Sequence, residues 1–346
     1  MSSARVVVTG GAGFVGTAVV RELVGRGENV TVVDSFRPDV HRDGDAARRR
    51  LETLGARVVE ADVRDGTALV PLLRNTSVVV HLAAKVGLGV DLDDMEDYVS
   101  SNDLGTAVVL RAAARHDVPR VVQASSMVVY GEGRYTCSEH RVVPPGPRSI
   151  EDLRRGVFEP PCPVCGRVLE PGLVTEDSPL DPRNTYAATK VAQEYLASTW
   201  SRESGGAAVS LRLHNVYGAG MPRSTPYAGV AALFVSRLEA GLPPRVFEDG
   251  GQRRDFVHVD DVARAFAAAA EADTEAHRAI NVGSGRVTTV GDMALALADH
   301  RGGPSPVVTG EFRLGDVRHI TASSDRAAAE LGWRARIPLT EGISSL

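Results

Sequence analysis

The chain has 346 residues, an apolar fraction of 43%, a charged fraction of 24% and a formal net charge of −5. That composition is ordinary for a globular protein and excludes an overall basic field that would draw nucleic acid or an anionic membrane. No apolar run reaches the roughly 18 residues of a membrane span, Met1–Arg5 leads directly into an apolar strand with no room for a signal peptide, and three cysteines are too odd a set for a disulfide framework, so a cytoplasmic protein is expected.

The first elements read as strand, turn, helix, strand. Arg5–Val8 is a β-branched run, a glycine turn follows, and Val15, Val19, Leu23 and Val24 recur with helical spacing. A second apolar run, Val30–Val33, ends at Asp34. Gly10, Gly13 and Gly16 stand three residues apart between the first strand and the helix. Glycine there lets a diphosphate approach the backbone, and the helix N-terminus offers unpaired N–H groups and a positive dipole end. With an acid closing the second strand, the pattern predicts a dinucleotide site that includes Phe14 and Val15. Asp34 can accept hydrogen bonds from both adenosine ribose hydroxyls and would repel a 2′-phosphate, so NAD is expected rather than NADP.

Further strands are predicted at Arg57–Glu60, Val78–Leu82 and Arg120–Ala124, with helical segments between them. Alternating strands and helices imply an α/β fold, a Rossmann-type doubly wound parallel sheet covered on both faces. Asp62 and Val63, closing the third strand, are placed to meet adenine. "ASSMVVYG" (124–131) puts Ser126 at a strand's carboxyl end, where its hydroxyl can bond a substrate oxygen.

The segment 134–173 then interrupts the alternation. It is rich in proline and arginine, shows no clear period, and holds all three cysteines. Cys137-x-x-His140 and Cys162-x-x-Cys165 are two short pairs of N/S ligands, the pattern of a closed tetrahedral zinc site. Glu139 is a further ligand candidate should His140 point away. Four protein ligands leave no open position, so a structural rather than catalytic metal is expected. A metal-free loop and a redox pair are the alternatives. The metal would also explain how a long loop without structure of its own holds together.

"TYAATK" places Tyr186 and Lys190 one helical turn apart on one face. A free tyrosine has a pKa of about 10; a neighbouring ammonium and an oxidised nicotinamide favour the phenolate and lower it. Of the 39 basic residues only Lys85 and Lys190 are lysines, and a compact ammonium suits this task better than a guanidinium fork. Beyond Leu211 the pattern is less regular. A helix carrying Val230, Leu233, Phe234 and Leu238 is predicted, followed by a strand pair and a helix capped by Asp260 or Asp261.

"TGGAGFVG", "HLAA", "SSMVVYG", "YAATK", "LRLHNVYG" and "GGQRRDFVHVDDVA" occur in the order found in extended short-chain dehydrogenases/reductases. More narrowly, the chain resembles the NAD-dependent nucleotide-sugar epimerase/dehydratase family, UDP-glucose and UDP-glucuronate 4-epimerases included, over nearly its whole length except the interruption. The resemblance implies a catalytic set of Ser126, Tyr186 and Lys190. It implies NAD held also by Leu82, Ala83, Ala84 and Asn102, and a nucleotide-diphosphate sugar held by Asn215, Arg254, Arg313 and Asp316. Lys85, Met127, Arg223 and Tyr227 are further candidates for the sugar pocket. It also implies a homodimer paired through helices that include the one bearing Tyr186. The expected division is 1–210 with 253–283 for the cofactor, and 211–252 with 284–346 for the nucleotide sugar.

Family members that eliminate water resemble one another in carrying Asp-Glu directly after the catalytic hydroxyl residue. Met127 and Val128 stand there and cannot move a proton. The expectation is therefore epimerisation, most simply at C4, through a transient ketone. A 4-ketoreductase or dehydrogenase with net cofactor turnover is the rival within the family, and a non-catalytic NAD-binding protein the rival outside it.

Overall fold

The structure, a computed structural model, describes residues 4–41, 43–87, 92–223 and 229–346. Its centre is a sheet of seven parallel strands: β1 Arg5–Thr9, β2 Asn29–Asp34, β3 Arg57–Glu60, β4 Val78–His81, β5 Arg120–Ser126, β6 Ala207–Leu213 and β7 His277–Val282, in the order β7-β6-β5-β4-β1-β2-β3. The Rossmann-type reading holds. Side chains alternate across the pleat. Val6, Val8, Val32 and Val80 pack on one face with Val19, Leu23, Val262 and Phe266; Val7, Val33, Val79 and Val121 pack on the other with Val109, Ala197 and Trp200. Each such valine, removed from water on both sides, contributes about 1.5–3 kcal/mol.

Among the described residues, the helices that cover the two faces of this sheet include four long ones. These are α1 (Phe14–Gly25), α2 (Gly105–Arg115), α3 (Thr185–Ser204) and α4 (Val259–Glu271). Asn184 caps α3 by accepting from Ala187 N at 2.8 Å, and Gly205, at φ 75°, ends it in the left-handed conformation. The cap of α4 differs from expectation. His258 holds it, with Nδ1 accepting from Asp260 N at 3.2 Å, while Asp260 and Asp261 lie in the first turn.

A smaller lobe packs the helices Val230–Glu239 and Val290–Arg301 around Phe234, Val235, Met293 and Leu297. The strand Asn215–Tyr217 pairs with Phe256–His258 at the junction of sheet and lobe. The interrupting segment has structure that no periodicity announced. Arg134–Cys137 pairs antiparallel with Arg141–Val142 and with Glu170–Gly172, and a one-turn helix, Ile150–Arg154, is capped by Ser149. Strands of two to four residues are too short to show alternation. Among the described residues no helix is long and apolar enough to cross a membrane.

Candidate active site

A cleft of about 490 Å³ opens at the carboxyl ends of the strands. Its walls come from the glycine turn, the loops after β2, β3 and β4, the end of β5, the start of α3, and Leu213–Tyr217. This is where an open parallel sheet leaves room for a ligand.

The glycine turn is built for close approach. Gly10 has φ +71°, and a Cβ there would lie 2.5 Å from Ala83 N; a Cβ on Gly16 would lie 2.2 Å from Gly10 O. Gly13 caps α1 without a side-chain hydrogen bond, and no acidic residue occupies the first turn, so the helix N-terminus suits an anion. Asp34 is buried behind the turn. Its Oδ2 accepts from Ala12 N at 2.9 Å and its Oδ1 from Phe36 N at 3.0 Å, with His41 Nε2 3.6 Å away. Burial pushes its carboxyl up, but the His41 contact and the two backbone donors more than offset that and hold it below the ordinary carboxylate range. Phe14, Val15, Asp62, Val63, Leu82, Ala83 and Ala84 all line the cleft. The Arg64 fork grips Asp62 at 2.6 to 3.1 Å. These residue types and this cradle fit a dinucleotide. A feature with no sequence signal joins them: Arg37, in the loop after β2, forks onto Asp97 at 3.0 and 2.9 Å, tying that loop to the helix Met95–Tyr98 beside the cleft.

At the other end the expected reactive groups converge. Ser126 closes β5, Tyr186 and Lys190 come from the first turns of α3, and all three line the cleft. The Lys190 ammonium donates to Ala124 O at 2.9 Å and lies 5.8 Å from the Tyr186 ring centroid. Burial pushes the Tyr186 phenol up to about 12, opposed by a hydrogen bond with Ser126 and reinforced by Tyr98. Burial pushes Lys190 down to about 8, opposed by Glu194 and Asp103. The protein's own groups leave the phenol above its ordinary value; the expected lowering calls on an oxidised nicotinamide as well as the lysine.

The other expected contacts divide among the cleft, the interior and the surface. Asn102 is fully buried and does not line the cleft: its Oδ1 accepts from Lys85 N at 2.7 Å, and its Nδ2 donates to Lys85 O at 3.0 Å and Thr189 Oγ1 at 2.9 Å. It pins the loop after β4 to α3, within a π-helical turn, Val99–Leu104. Lys85 lines the cleft, but its ammonium is paired with Asp94 at 2.6 Å and Asp97 at 3.0 Å. Burial opposes that charge, and the two carboxylates more than offset it and raise its pKa. Asn215 lines the cleft and its Oδ1 is buried without a protein partner, an acceptor suited to a ligand. Arg254 turns inward, donating to Arg253 O, Arg318 O and Val317 O at 2.6 to 3.0 Å. Asp316 is half-buried, with burial raising its pKa against the pull of Arg254. Met127 packs against Val129, Tyr130 and Val174. Arg223 is exposed and paired with Glu239, and Arg313 is exposed over the Phe247 ring. Tyr227 lies outside the described residues.

In the interrupting segment the four predicted ligands meet. The ligand atoms of Cys137, His140, Cys162 and Cys165 all lie within 4.8 Å of one another. Cys137 Sγ is 3.6 Å from His140 Nδ1 and 3.6 Å from Cys165 Sγ, and Cys162 Sγ is 3.7 Å from His140 Nδ1. A tetrahedron with zinc–sulfur arms of about 2.3 Å has edges of about 3.8 Å, so the donor set fits zinc. Glu139 is instead 3.4 Å from Arg167.

Known proteins share this architecture. Residues 6–150 and 162–283 match the NAD dependent epimerase/dehydratase family. A dTDP-L-rhamnose 4-epimerase of Burkholderia thailandensis is 36% identical over 99% of this chain and 93% of its own length. A UDP-glucose 4-epimerase of Mycolicibacterium smegmatis is 31% identical over 98% and 96%. The structure of the Thermus thermophilus UDP-glucose 4-epimerase in complex with NAD is 30% identical, with a TM-score of 0.77 over 99% of this chain and 97% of that one. Between them, the glycine cradle, the converging Ser126, Tyr186 and Lys190, and a match running almost the length of the sheet make this chain a member of the NAD dependent epimerase/dehydratase family.

Proposed function

We propose that the protein inverts the C4 hydroxyl of a nucleotide-diphosphate sugar and returns its NAD unchanged. The observation that carries the reading is the meeting of Ser126, Tyr186 and Lys190 at one end of a cleft whose other end holds the glycine cradle and Asp34. NAD, when bound, supplies the reversible exchange of hydride. Gly10, Gly13 and Gly16 admit its diphosphate, Asp34 accepts from its adenosine ribose, and Asp62 and Val63 face its adenine. Tyr186 Oη takes the C4 hydroxyl proton and later returns it. The Ser126 hydroxyl holds the same sugar oxygen. Lys190 stabilises the phenolate from beside the ring. Residues 211–252 and 284–346 hold the nucleotide sugar, with Asn215 Oδ1 as an acceptor at the junction. Met127 and Val128 supply no acid or base for eliminating water, which favours epimerisation over dehydration.

Cys137, His140, Cys162 and Cys165 hold a structural zinc, supported by their mutual spacing. Metal analysis returning no zinc, with three freely titrating thiols in the folded protein, would remove it. A homodimer is supported by Met95, Val99, Leu104 and Tyr195, apolar side chains exposed on and beside α2 and α3.

The test is product separation after mixing enzyme with UDP-glucose, UDP-glucuronate, their N-acetyl relatives and dTDP-L-rhamnose. Epimerisation of one of them without net change in nicotinamide is expected, and Tyr186→Phe should slow it by about 10²–10⁴-fold. Stoichiometric consumption of added NAD or NADH would show a dehydrogenase or ketoreductase instead. No turnover of any of them, with NAD still bound, would leave a binding protein.

A further inference from the structure

Between the two metal-ligand pairs the chain carries Arg148 and Glu159, and both leave the interrupting segment to grip the smaller lobe. Arg148, whose side chain is 6% exposed, pairs with Glu248 at 2.8 Å and donates to Asp316 O at 2.7 Å. Glu159 accepts from the Arg318 guanidinium at 2.6 and 3.0 Å and from His319 Nε2 at 2.8 Å. Arg318 is itself 2% exposed in its side chain and also meets Glu248 and Asp249. Its backbone N–H donates to Glu132 at 2.9 Å.

The segment so held continues to the cleft. Val317 O and Arg318 O accept the Arg254 guanidinium. His319 Nδ1 accepts from Arg253 N at 3.0 Å, and Ile320 N donates to Arg253 O at 3.1 Å. Because Nδ1 accepts, the proton facing Glu159 belongs to Nε2, which fixes the ring's orientation. Arg253–Arg254 runs directly into Asp255 and Phe256. Asp255 O accepts from Asn215 N at 2.9 Å, and both Phe256 and Asn215 are cleft walls. An unbroken run of short contacts thus links Glu159 to Asn215, and Glu159 lies only three residues before Cys162.

We propose that the interrupting segment is a positioning device for the nucleotide-sugar half of the cleft, with Glu159 and Arg148 as its positioning residues. Neither touches the cleft. They fix the 316–320 chain, which fixes Arg253–Phe256, which fixes the wall containing Asn215. Ligation of both ends of the segment holds the span that carries them. The proposal rests on the reading of this cleft as a nucleotide-sugar site.

The test uses holo-protein of verified metal content and the variants Glu159→Gln, Glu159→Asp and Arg148→Met. For the sugar nucleotide that is epimerised, Glu159→Gln should raise KM about tenfold, the scale of one charge-assisted hydrogen bond. kcat should stay within about twofold and bound NAD should be unchanged. Glu159→Asp, keeping the charge, should recover most of the KM, and Arg148→Met should repeat the KM effect. A lowered melting temperature with KM unchanged would overturn the proposal, because the network would then serve stability alone. So would a fall in kcat and bound NAD at constant KM. If the wild type epimerises none of the sugars, the proposed function fails separately. The same variants are then compared for UDP and dTDP affinity by calorimetry, where an unchanged Kd, or no binding of either by the wild type, overturns the positioning role.

Discussion

Replacing Arg212 by Met should cost several kcal/mol through one buried carboxylate. Arg212 in β6 and Glu194 in α3 are each 5% exposed in their side chains. The fork places Nε 2.9 Å from Oε1 and Nη2 2.7 Å from Oε2, and Nη1 donates to Tyr130 Oη at 2.8 Å. Ser125 Oγ donates to the same Glu194 at 2.5 Å. Arg212→Met leaves the carboxylate with that hydroxyl alone, and stranding one member of a buried pair costs about 3–5 kcal/mol. For a chain of this size that lowers the melting temperature by on the order of 5 °C. Ser125 adjoins Ser126, and Glu194 shares α3 with Tyr186 and Lys190, so kcat should fall as well. Thermal and urea unfolding of Arg212→Met, Glu194→Leu and the double variant measure the coupling, expected to be at least about 2 kcal/mol, with the double variant recovering most of the stability. A single-variant cost under about 1 kcal/mol, or simple additivity, would refute the argument.

Burial holds Lys190 near 8, so its cation is present below that pH and lost above it. Epimerisation should therefore decline on an alkaline limb near pH 8, and Lys190→Arg should carry whatever activity it retains past that limb; a profile flat to about pH 10 would contradict this. The same shift bears on stability: because the folded pKa is depressed, the cost of the buried ammonium is full below about pH 8 and is relieved as pH rises toward the ordinary 10.5. Gly16→Ala would put a Cβ 2.2 Å from Gly10 O, forcing a displacement of about 1 Å to reach ordinary contact. It should purify with little bound nicotinamide, read by absorbance after denaturation. Arg37→Ala removes the fork onto Asp97 and should speed NAD release about tenfold in a chase experiment, with KM for the sugar unchanged.

What the sequence made legible was local. Three glycines, an acid at a strand end, and a tyrosine and lysine one turn apart each state their chemistry within a few residues. The Cys and His pairs also showed in the sequence, because each pair lies within four residues. What stayed hidden depends on residues distant in sequence. Asn102 reads as a cofactor contact, yet its amide bonds Lys85 and Thr189, and Arg254 reads as a phosphate ligand, yet three of its five donors also hold backbone carbonyls. No spacing rule links Arg37 to Asp97, or Glu159 to Arg318, pairs 60 and 159 residues apart. The interrupting segment looked structureless because its contacts are short strands, a Cys/His cluster and long-range arginine pairs, and none of these has a period.

The burial of Tyr186 and Lys190 bears on how the proposed chemistry would run. A lysine one turn away and an oxidised nicotinamide were together expected to draw the phenol toward ionisation. Both groups are instead buried deeply enough that each is pushed toward its neutral form, the phenol up to about 12 and the ammonium down to about 8. Burial makes each charge costly on its own, and a further positive charge over the ring would join Lys190 in favouring the phenolate. On the proposed function, Tyr186 would act as base with the oxidised cofactor in place. A cofactor that seldom leaves suits that reading, and the Arg37–Asp97 strap ties the loop after β2 to the helix Met95–Tyr98 beside the cleft. The buried tyrosine at one end and the strap at the other thus both fit the proposed chemistry, an oxidation and reduction completed on one bound cofactor.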